Sequence, residues 1–461
     1  MGKTSDLTVG KPGRLILNFF FPLLISNTLQ QLYSFADTAI VGKGLGDNSL
    51  AAVGNMSCLT FLIFGFSMGL SNGFAIIIAQ SFGEKEYGKL RKSLAVSIRL
   101  SVIITILLTL FSMIFLRPIL LLLQTSPIIM EESLGYGYIL FGGLFSTIAY
   151  NMCSGVLRSL GDSRTPLKAI IISTVMNIVL NCLFIFQCGW GVYGVAAATI
   201  IAQMFSAAFC FARLRKIDFL KLTREDFAHD VRMSALLLKN GLPMALMNSI
   251  TAIGVMVVQY FVNGLGVAFT SAYSVCTRYL NLSMMPAATA GYAMAAYTGQ
   301  NYGAKRFDRI LDGLKVCLGL ALITYALFGS AMFFAPAFLA SLILNGKEQI
   351  GYVVQFLPIC GAAMIFVDML FVIRNAVQGM GFPFFPMISG IAEMVLRILA
   401  IMGLVGFVGF RATAVAEVSA WFGALLINGI AFIMIFLRES KQSSNTLTSE
   451  QKSMQRTHSV I

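Results

Sequence analysis

The chain has 461 residues, of which 57% are hydrophobic and 11% are charged, with a formal net charge of +13. Soluble domains contain about 45–50% apolar and about 25% charged residues, so this composition excludes an ordinary soluble enzyme. It indicates a polytopic helical membrane protein, because backbone inside a bilayer must satisfy its own hydrogen bonds.

Twelve apolar stretches follow one another along the chain, and each is long enough to cross a bilayer as a helix. Charged or turn-rich breaks separate them. Spans 1 to 12 are predicted at roughly 15–41, 50–79, 93–116, 134–157, 169–187, 191–212, 240–262, 268–298, 316–338, 350–374, 386–408 and 412–437.

The basic residues lie mostly at the span ends that a cytoplasmic N-terminus would place inside. The opposite side carries only Lys43, Arg117, Lys347 and Arg411. The positive-inside rule therefore predicts that both termini are cytoplasmic, for a protein of the cell inner (plasma) membrane. This topology accounts for the net charge without a nucleic-acid partner.

Few residues could support enzymatic chemistry. The eight cysteines include no CxxC pair, and His229 and His458 are the two histidines of the sequence. Zinc motifs and His-based triads are therefore excluded, and the sequence has no Walker A motif. We expect a transporter rather than an enzyme, without a metal or cofactor, that draws its energy from an ion gradient.

Parts of the sequence recur at an offset of 220 residues, which indicates an internal repeat. Six spans per repeat is an even number, so both halves would share one orientation and be related by a pseudo-twofold axis along the membrane normal. We therefore predict an all-α integral membrane protein with twelve transmembrane helices in two six-helix lobes. The matching segments are Gly44–Gly46 and Gly264–Gly266, Gln80 and Gln300, Lys85 and Lys305, and Gly161 and Gly381.

The predicted domain boundaries follow from this repeat and from two polar segments. A basic loop separates spans 6 and 7, and a stretch rich in Ser, Thr, Gln and Lys follows span 12. The predicted parts are an N-lobe at 1–212, a cytoplasmic inter-lobe loop at 213–239, a C-lobe at 240–437 and a disordered cytoplasmic tail at 438–461.

Polar residues within the spans of the first half are concentrated in one layer. Asp37 lies near the outer end of span 1, and Pro22, fifteen residues earlier, allows that helix to bend. Asn177 and Asn181 are four residues apart on one face of span 5, and Thr199 of span 6 comes to a similar depth. A carboxylate inside a span is a functional candidate, but it could also be a wet interfacial group, and Asn and Thr also join helices structurally.

The second half carries ionisable residues in spans 8, 10, 11 and 12, of which Glu417 near the start of span 12 is expected to be interfacial. Glu393 and Arg397 have the spacing of a pair along span 11, which is more often structural than functional. Asp368 in span 10 could bind a cation or pair with Arg278 or Arg374, and the sequence leaves both interpretations open. Asp368, Glu393, Arg397 and Arg278 are therefore the second-lobe candidates.

Six segments spread over nearly the whole chain form a specific set. They are Pro22–Thr38, Gln80–Gly83, Leu157–Pro166, Asn177–Asn181, Gly194–Thr199 and Gln300–Lys305. Together they resemble the multidrug and toxic compound extrusion (MATE) family of efflux transporters, of the bacterial type. The resemblance implies two six-helix lobes around a central cavity and export of cationic or amphipathic compounds against H+ or Na+.

The resemblance also assigns site residues. In the branch of the family with an acidic network in the N-lobe, the characteristic Asp, Asn and Thr fall on Asp37, Asn177 and Thr199. The second acidic position of that network falls on Asn181, which leaves Asp37 as the sole N-lobe carboxylate and the coupling ion open. In the branch that uses C-lobe acids only Asp368 matches, because span 7 offers no acid.

The resemblance, taken with these residues, implies a multidrug efflux antiporter that works by alternating access. An entering H+ or Na+ would neutralise or coordinate Asp37, and span 1 would then bend near Pro22. The alternative is a flippase for lipids or lipid-linked oligosaccharides from the same superfamily, while a membrane enzyme or a channel fits the sequence less well. Expected partners are organic cations or amphipathic drugs and membrane lipids, with no nucleic acid, and the protein is expected to be a monomer.

Overall fold

The computed structural model describes residues 5–458, apart from the side chains of residue 58 and residues 443–458. Within this range the chain is helical and has no β-strand. Single π-helical turns at Leu183–Gln187 and Tyr325–Gly329 extend two of the helices, and short 3-10 turns lie at Asp218–Leu220 and Glu225–Phe227. The α-helices are α1 (Pro12–Leu45), α2 (Asp47–Gly83), α3 (Tyr87–Leu122), α4 (Pro127–Gly142), α5 (Leu144–Ser159), α6 (Arg164–Cys182), α7 (Gly191–Leu214), α8 (Val231–Gly264), α9 (Val267–Gly303), α10 (Phe307–Thr324), α11 (Ser330–Phe334), α12 (Pro336–Ser341), α13 (Lys347–Gly379), α14 (Phe384–Val408) and α15 (Arg411–His458).

The predicted membrane spans coincide with these helices. Among the described residues ten helices are long and apolar enough to cross a membrane, and α4 with α5, bent by 44°, forms an eleventh candidate. The remaining predicted span is α9, whose 37 residues are rich in Ala, Ser, Thr and Tyr and are partly buried. The all-α membrane fold predicted from the composition is confirmed.

The internal repeat is visible in the helix boundaries. Helices α2, α3, α4, α6 and α7 begin 220 residues before α9, α10, α13, α14 and α15, respectively. Backbone with positive φ recurs at the same offset, with Lys85 at 61° and Lys305 at 56°, and Gly161 at 77° and Gly381 at 88°. Both halves therefore share one order of helices and turns.

Two compact units divide the described chain, and they follow the two sequence halves apart from a few exchanged segments. The start of α1 belongs to the second unit, whereas α8 as far as Met256 belongs to the first. The first unit comprises residues 5–6, Leu17–Phe82 and Glu86–Met256, and the second comprises Leu7–Ile16, Gly83–Lys85 and the chain from Val257 onwards.

The predicted limits of the lobes at 1–212 and 240–437, and of the loop at 213–239, stay a prediction about the transport domains. The backbone differs from expectation in the tail at 438–461, because α15 continues as a helix to His458. Extending an existing helix adds a hydrogen bond per residue without a new nucleation step, which favours this continuation. Residues 459–461 lie outside the described part of the chain.

Helices α2 and α8 cross at glycine within the first unit. A Cβ atom built on Gly73 would lie 2.4 Å from the Cα of Gly241. Across the same crossing, Asn248 donates from Nδ2 to the Gly65 carbonyl oxygen at 3.0 Å. The two backbones are therefore in direct contact, which only residues without a side chain permit.

Gly73→Ala is expected to destabilise the protein by about 1–3 kcal/mol, since the added methyl group forces the two helices apart. Gly54→Ala is the matched control, because Gly54 lies on the same helix and no described atom lies within 4 Å of a Cβ atom built there. The two variants are compared by thermal unfolding in one detergent. Equal melting temperatures would contradict the close crossing.

Candidate functional site

Asp37 on α1 is hydrogen-bonded to α6 inside the first unit. Asn181 donates from Nδ2 to Asp37 Oδ1 at 2.5 Å and to Asn177 Oδ1 at 2.9 Å. Both asparagines have 0% exposed surface, and their four-residue spacing puts them one turn apart on the same face of α6. The structure thus brings three of the predicted cation-coupling residues into contact.

Thr199 on α7, the fourth predicted residue, joins this cluster through a tyrosine. The Tyr33 hydroxyl lies 3.2 Å from Thr199 Oγ1 and also hydrogen-bonds the Asp37 carboxylate. Tyr33 precedes Asp37 by four residues, so the two side chains share one face of α1. Tyr33 is not among the residues predicted from the sequence, although this spacing is the signal that indicates it.

Apolar side chains border the cluster one turn further along α1. Val41, Ile185 and Val195 are buried together, and Tyr136 of α4 packs against them. Tyr136 also lies close enough to Asp37 for an electrostatic interaction. Because such surroundings solvate a charge poorly, an ionised Asp37 depends on the hydrogen bonds that it receives or on a bound cation.

Two buried polar atoms of the cluster, Nδ2 of Asn177 and Oδ1 of Asn181, have no hydrogen-bond partner within the described part of the chain. A small cation or a water molecule beside Asp37 would satisfy the Asn181 oxygen, since hard cations prefer carboxylate, amide and hydroxyl oxygens. The described residues hold no group of three His, Cys, Asp or Glu side chains that could bind a metal ion. One carboxylate with neutral oxygens therefore suits H+ or Na+ better than a divalent cation.

Asp368 on α13 is buried in the second unit and has no ionic partner among the side chains that the structure describes. Its side chain has 0% exposed surface, and neither of its carboxylate oxygens accepts a hydrogen bond. Arg278 is an exposed residue of α9, and Arg374 pairs with Glu393 instead. The pairing of Asp368 with Arg278 or Arg374 is therefore not formed, and cation binding by Asp368 stays a prediction.

Glu393 and Arg397 on α14 are both buried, but the predicted bond between them along the helix is wrong. Glu393 pairs with Arg374 of α13, and Arg397 donates from Nη2 to Glu417 Oε2 of α15 at 2.9 Å. One turn of α14 separates the two residues, and each meets an opposite charge at its own level on a neighbouring helix. The four charges form a network that joins α13, α14 and α15.

The two repeats both match the same family model. The model of the family MatE matches residues 22–183 and again residues 243–402. The first match contains Asp37 and Asn181, and the second contains Asp368 and the α14 charges. The duplicated match agrees with the offset seen in the helix boundaries.

Curated relatives and solved structures agree with this match. The chain is 30% identical over 340 residues to the probable multidrug resistance protein YoeA of Bacillus subtilis (strain 168), which is 72% of this chain and 73% of that protein. It is 23% identical to the FAD transporter of Shewanella oneidensis, over 83% of this chain and 86% of that protein. A crystal structure of MATE in the bent conformation matches with a TM-score of 0.89 at 22% identity, covering 96% of this chain and 100% of that one. This last likeness shows the fold alone.

Proposed function

Because this chain belongs to the MatE family of membrane transporters, we propose that it is a multidrug efflux antiporter that exports cationic or amphipathic compounds in exchange for H+ or Na+. The proposal rests on the cluster of Asp37, Asn177, Asn181, Tyr33 and Thr199, which joins one carboxylate to neutral polar groups, so that a single H+ or Na+ would balance its charge. The relative YoeA, a probable multidrug resistance protein, supports the class of substrate.

The entering ion would act on Asp37 through its hydrogen bonds. While Asp37 is ionised, it accepts hydrogen bonds from Asn181 Nδ2 and from the Tyr33 hydroxyl. A tyrosine has one hydroxyl hydrogen, so neutralising Asp37 frees Tyr33 to donate to Thr199 on α7. Ion loading would therefore weaken the hydrogen bond from Tyr33 to Asp37 within α1 and strengthen the existing bond from Tyr33 to Thr199 between α1 and α7.

Pro22 gives α1 a position at which the helix can bend when the hydrogen bonds at Asp37 change. It lies inside α1, where its missing N–H removes one hydrogen bond of the helix. In the proposed cycle this shift in the hydrogen bonding of Tyr33 changes the bend of α1 at Pro22 and so alternates access to the substrate. The helix itself is continuous from Pro12 to Leu45.

The proposal includes a monomeric protein in the plasma membrane with both termini in the cytoplasm. The distribution of basic residues supports this orientation. Its substrates would be organic cations or amphipathic drugs, and lipids would surround the apolar helices.

Ethidium transport into everted membrane vesicles tests the antiport. Vesicles that contain the protein receive either an imposed pH gradient or an imposed Na+ gradient, and vesicles without the protein are the control. We expect one gradient to raise the transport rate at least about tenfold above the control, a factor that corresponds to about 1.4 kcal/mol in the barrier.

Failure of both gradients to drive ethidium transport would overturn multidrug export. The same vesicles are then used to test two alternative substrates. FAD is tested because one relative is a FAD transporter, and lipid-linked oligosaccharides are tested because a flippase is the alternative predicted from the sequence.

A further inference from the structure

The segment that leads into α1 is bound to the second unit, although most of α1 belongs to the first. Leu7–Ile16 is part of the second unit, and α1 begins within it at Pro12. Leu7 and Thr8 have 2% and 5% exposed surface, so this segment is buried. One continuous helix therefore starts in the second unit and carries Asp37 in the first.

Arg309 of α10 holds this segment by its backbone. Its guanidinium group donates from Nη2 to the Leu7 carbonyl oxygen at 3.1 Å and from Nη1 to the Gly10 carbonyl oxygen at 2.9 Å. The Nε atom donates to Asn301 Oδ1 at 3.0 Å, which fixes the plane of the group. All three nitrogen atoms are in use, and with 8% exposed surface Arg309 is not an ordinary surface charge.

Two buried amide side chains of α9 complete the binding of Leu7. The Leu7 N–H donates to Gln300 Oε1 at 2.7 Å, and Asn301 Nδ2 donates to the Leu7 carbonyl oxygen at 3.3 Å. Gln300 and Asn301 both have 0% exposed surface. We name these three residues the α1 clamp: Gln300, Asn301 and Arg309. Their hydrogen bonds go to the N–H and the carbonyl oxygen of Leu7 and therefore do not depend on its side chain.

The segment that leads into α8 is also bound by basic residues inside the first unit, but through side-chain ion pairs. Helix α3, the repeat counterpart of α10, carries Arg91 and Lys92, which pair with Asp226 at 3.6 Å and Asp230 at 2.5 Å. Asp230 also accepts from the Met233 N–H at 2.8 Å and so caps α8. The hydrogen bonds that Asp230 accepts from Lys92 and from the Met233 N–H lower its pKa below the usual range of an aspartate. Basic residues of α10 bind the segment before α1, and basic residues of its repeat counterpart α3 bind the segment before α8. Both α1 and α8 have residues in both units.

We infer that the α1 clamp is a positioning site of the transport cycle, which fixes the start of α1 to the second unit by binding the backbone of residues 7–10. The inference rests on the proposed function, because anchoring the start of α1 affects transport only if Asp37 on the same helix binds the coupling ion. A helix that is anchored at its start cannot simply tilt when its contacts at Asp37 change. The change at Asp37 is instead taken up by bending of α1 at Pro22, which lies between the anchored residues 7–10 and Asp37.

Variants of the clamp are compared in the full-length protein. Arg309→Ala removes all the guanidinium donors, and Arg309→Lys keeps the charge but cannot span three acceptors. Lys315→Ala is the matched control, because Lys315 lies on the same helix with its side chain 77% exposed. Hydrogen exchange is measured by mass spectrometry in two peptides of each variant, one covering Leu7 and one covering Asp37. Ethidium binding in detergent and ethidium transport in vesicles are measured in parallel.

Arg309→Ala is expected to accelerate exchange in the Leu7 peptide by about tenfold or more, since hydrogen bonds to a charged group are lost. The exchange rate of the Asp37 peptide also differs from its wild-type value. The rate of ethidium transport falls by about tenfold, while the affinity for ethidium stays within about twofold of wild type. Arg309→Lys shows the same effects and decides the test if Arg309→Ala does not fold. Lys315→Ala shows none of them.

Faster exchange confined to the Leu7 peptide, or unchanged transport after release of that segment, would overturn the inference. A merely structural clamp would also reduce ethidium binding together with transport, and that result too would contradict a positioning role. If the wild-type protein transports no ethidium, multidrug export fails by itself. The exchange of the Asp37 peptide then decides the clamp alone.

Discussion

Asp37→Asn is expected to abolish gradient-driven ethidium transport, with a loss of at least about 100-fold relative to wild type. Asparagine has nearly the size of aspartate, and its amide oxygen can still accept from Asn181 Nδ2. The packing of α1 against α6 is therefore retained. The variant loses the ability to alternate between a charged and a neutral side chain, and a bound Na+ would lose the one carboxylate of the cluster.

The Asp37 experiment uses two comparisons. Asp47→Asn is the matched control, because Asp47 is exposed at the start of α2 and its loss should leave transport unchanged. Asp37→Glu retains an acid and should retain part of the activity. Ethidium binding by purified Asp37→Asn shows that the protein is folded. Transport by Asp37→Asn within twofold of wild type would exclude Asp37 as the coupling residue and direct attention to Asp368.

The cluster around Asp37 could be largely predicted because it depends on helical geometry alone. The four-residue spacing of Asn177 and Asn181 and the rise per residue along each span place the polar groups on one face and at one depth. Tyr33 obeys the same spacing relative to Asp37, but a tyrosine in a span has an apolar ring and is common at helix contacts. Its role becomes visible only when α7 brings Thr199 to its hydroxyl.

The charges of the second unit could not be paired from the sequence. Spacing along α14 suggests a bond between Glu393 and Arg397, because only neighbours on the same helix can be read from a sequence. Their real partners, Arg374 and Glu417, lie on α13 and α15. Choosing between these pairings requires knowledge of which helices are adjacent and of their relative rotation.

The anchored start of α1 was also beyond prediction, although the repeat that contains its partners was predicted. The Leu7 N–H and Gln300 Oε1 are 293 positions apart in the chain. The bonds of Arg309 to this segment use backbone carbonyl oxygens, which every residue possesses. No side-chain pattern in residues 7–10 therefore identifies Arg309 as the partner.

Arg397→Met is expected to lower the free energy of unfolding by about 3–5 kcal/mol, because it leaves Glu417 as a buried carboxylate without its guanidinium partner. Arg397 has 3% and Glu417 has 7% exposed surface, so water cannot replace the lost interaction easily. The methionine fills much of the volume of the arginine stem, which limits the contribution of a cavity to the loss.

The double variant Arg397→Met/Glu417→Leu should recover most of this stability, since replacing both members of a buried ion pair by apolar groups is often neutral or stabilising. Lys315→Met is the control, because Lys315 and its partner Asp312 have side chains that are 77% and 55% exposed, and little change is expected there. Thermal unfolding in one detergent compares all four proteins. A single variant as stable as wild type would show that the pair is not desolvated. A double variant that is stable but transports no ethidium would show that these two charges act in transport and not only in holding α14 to α15.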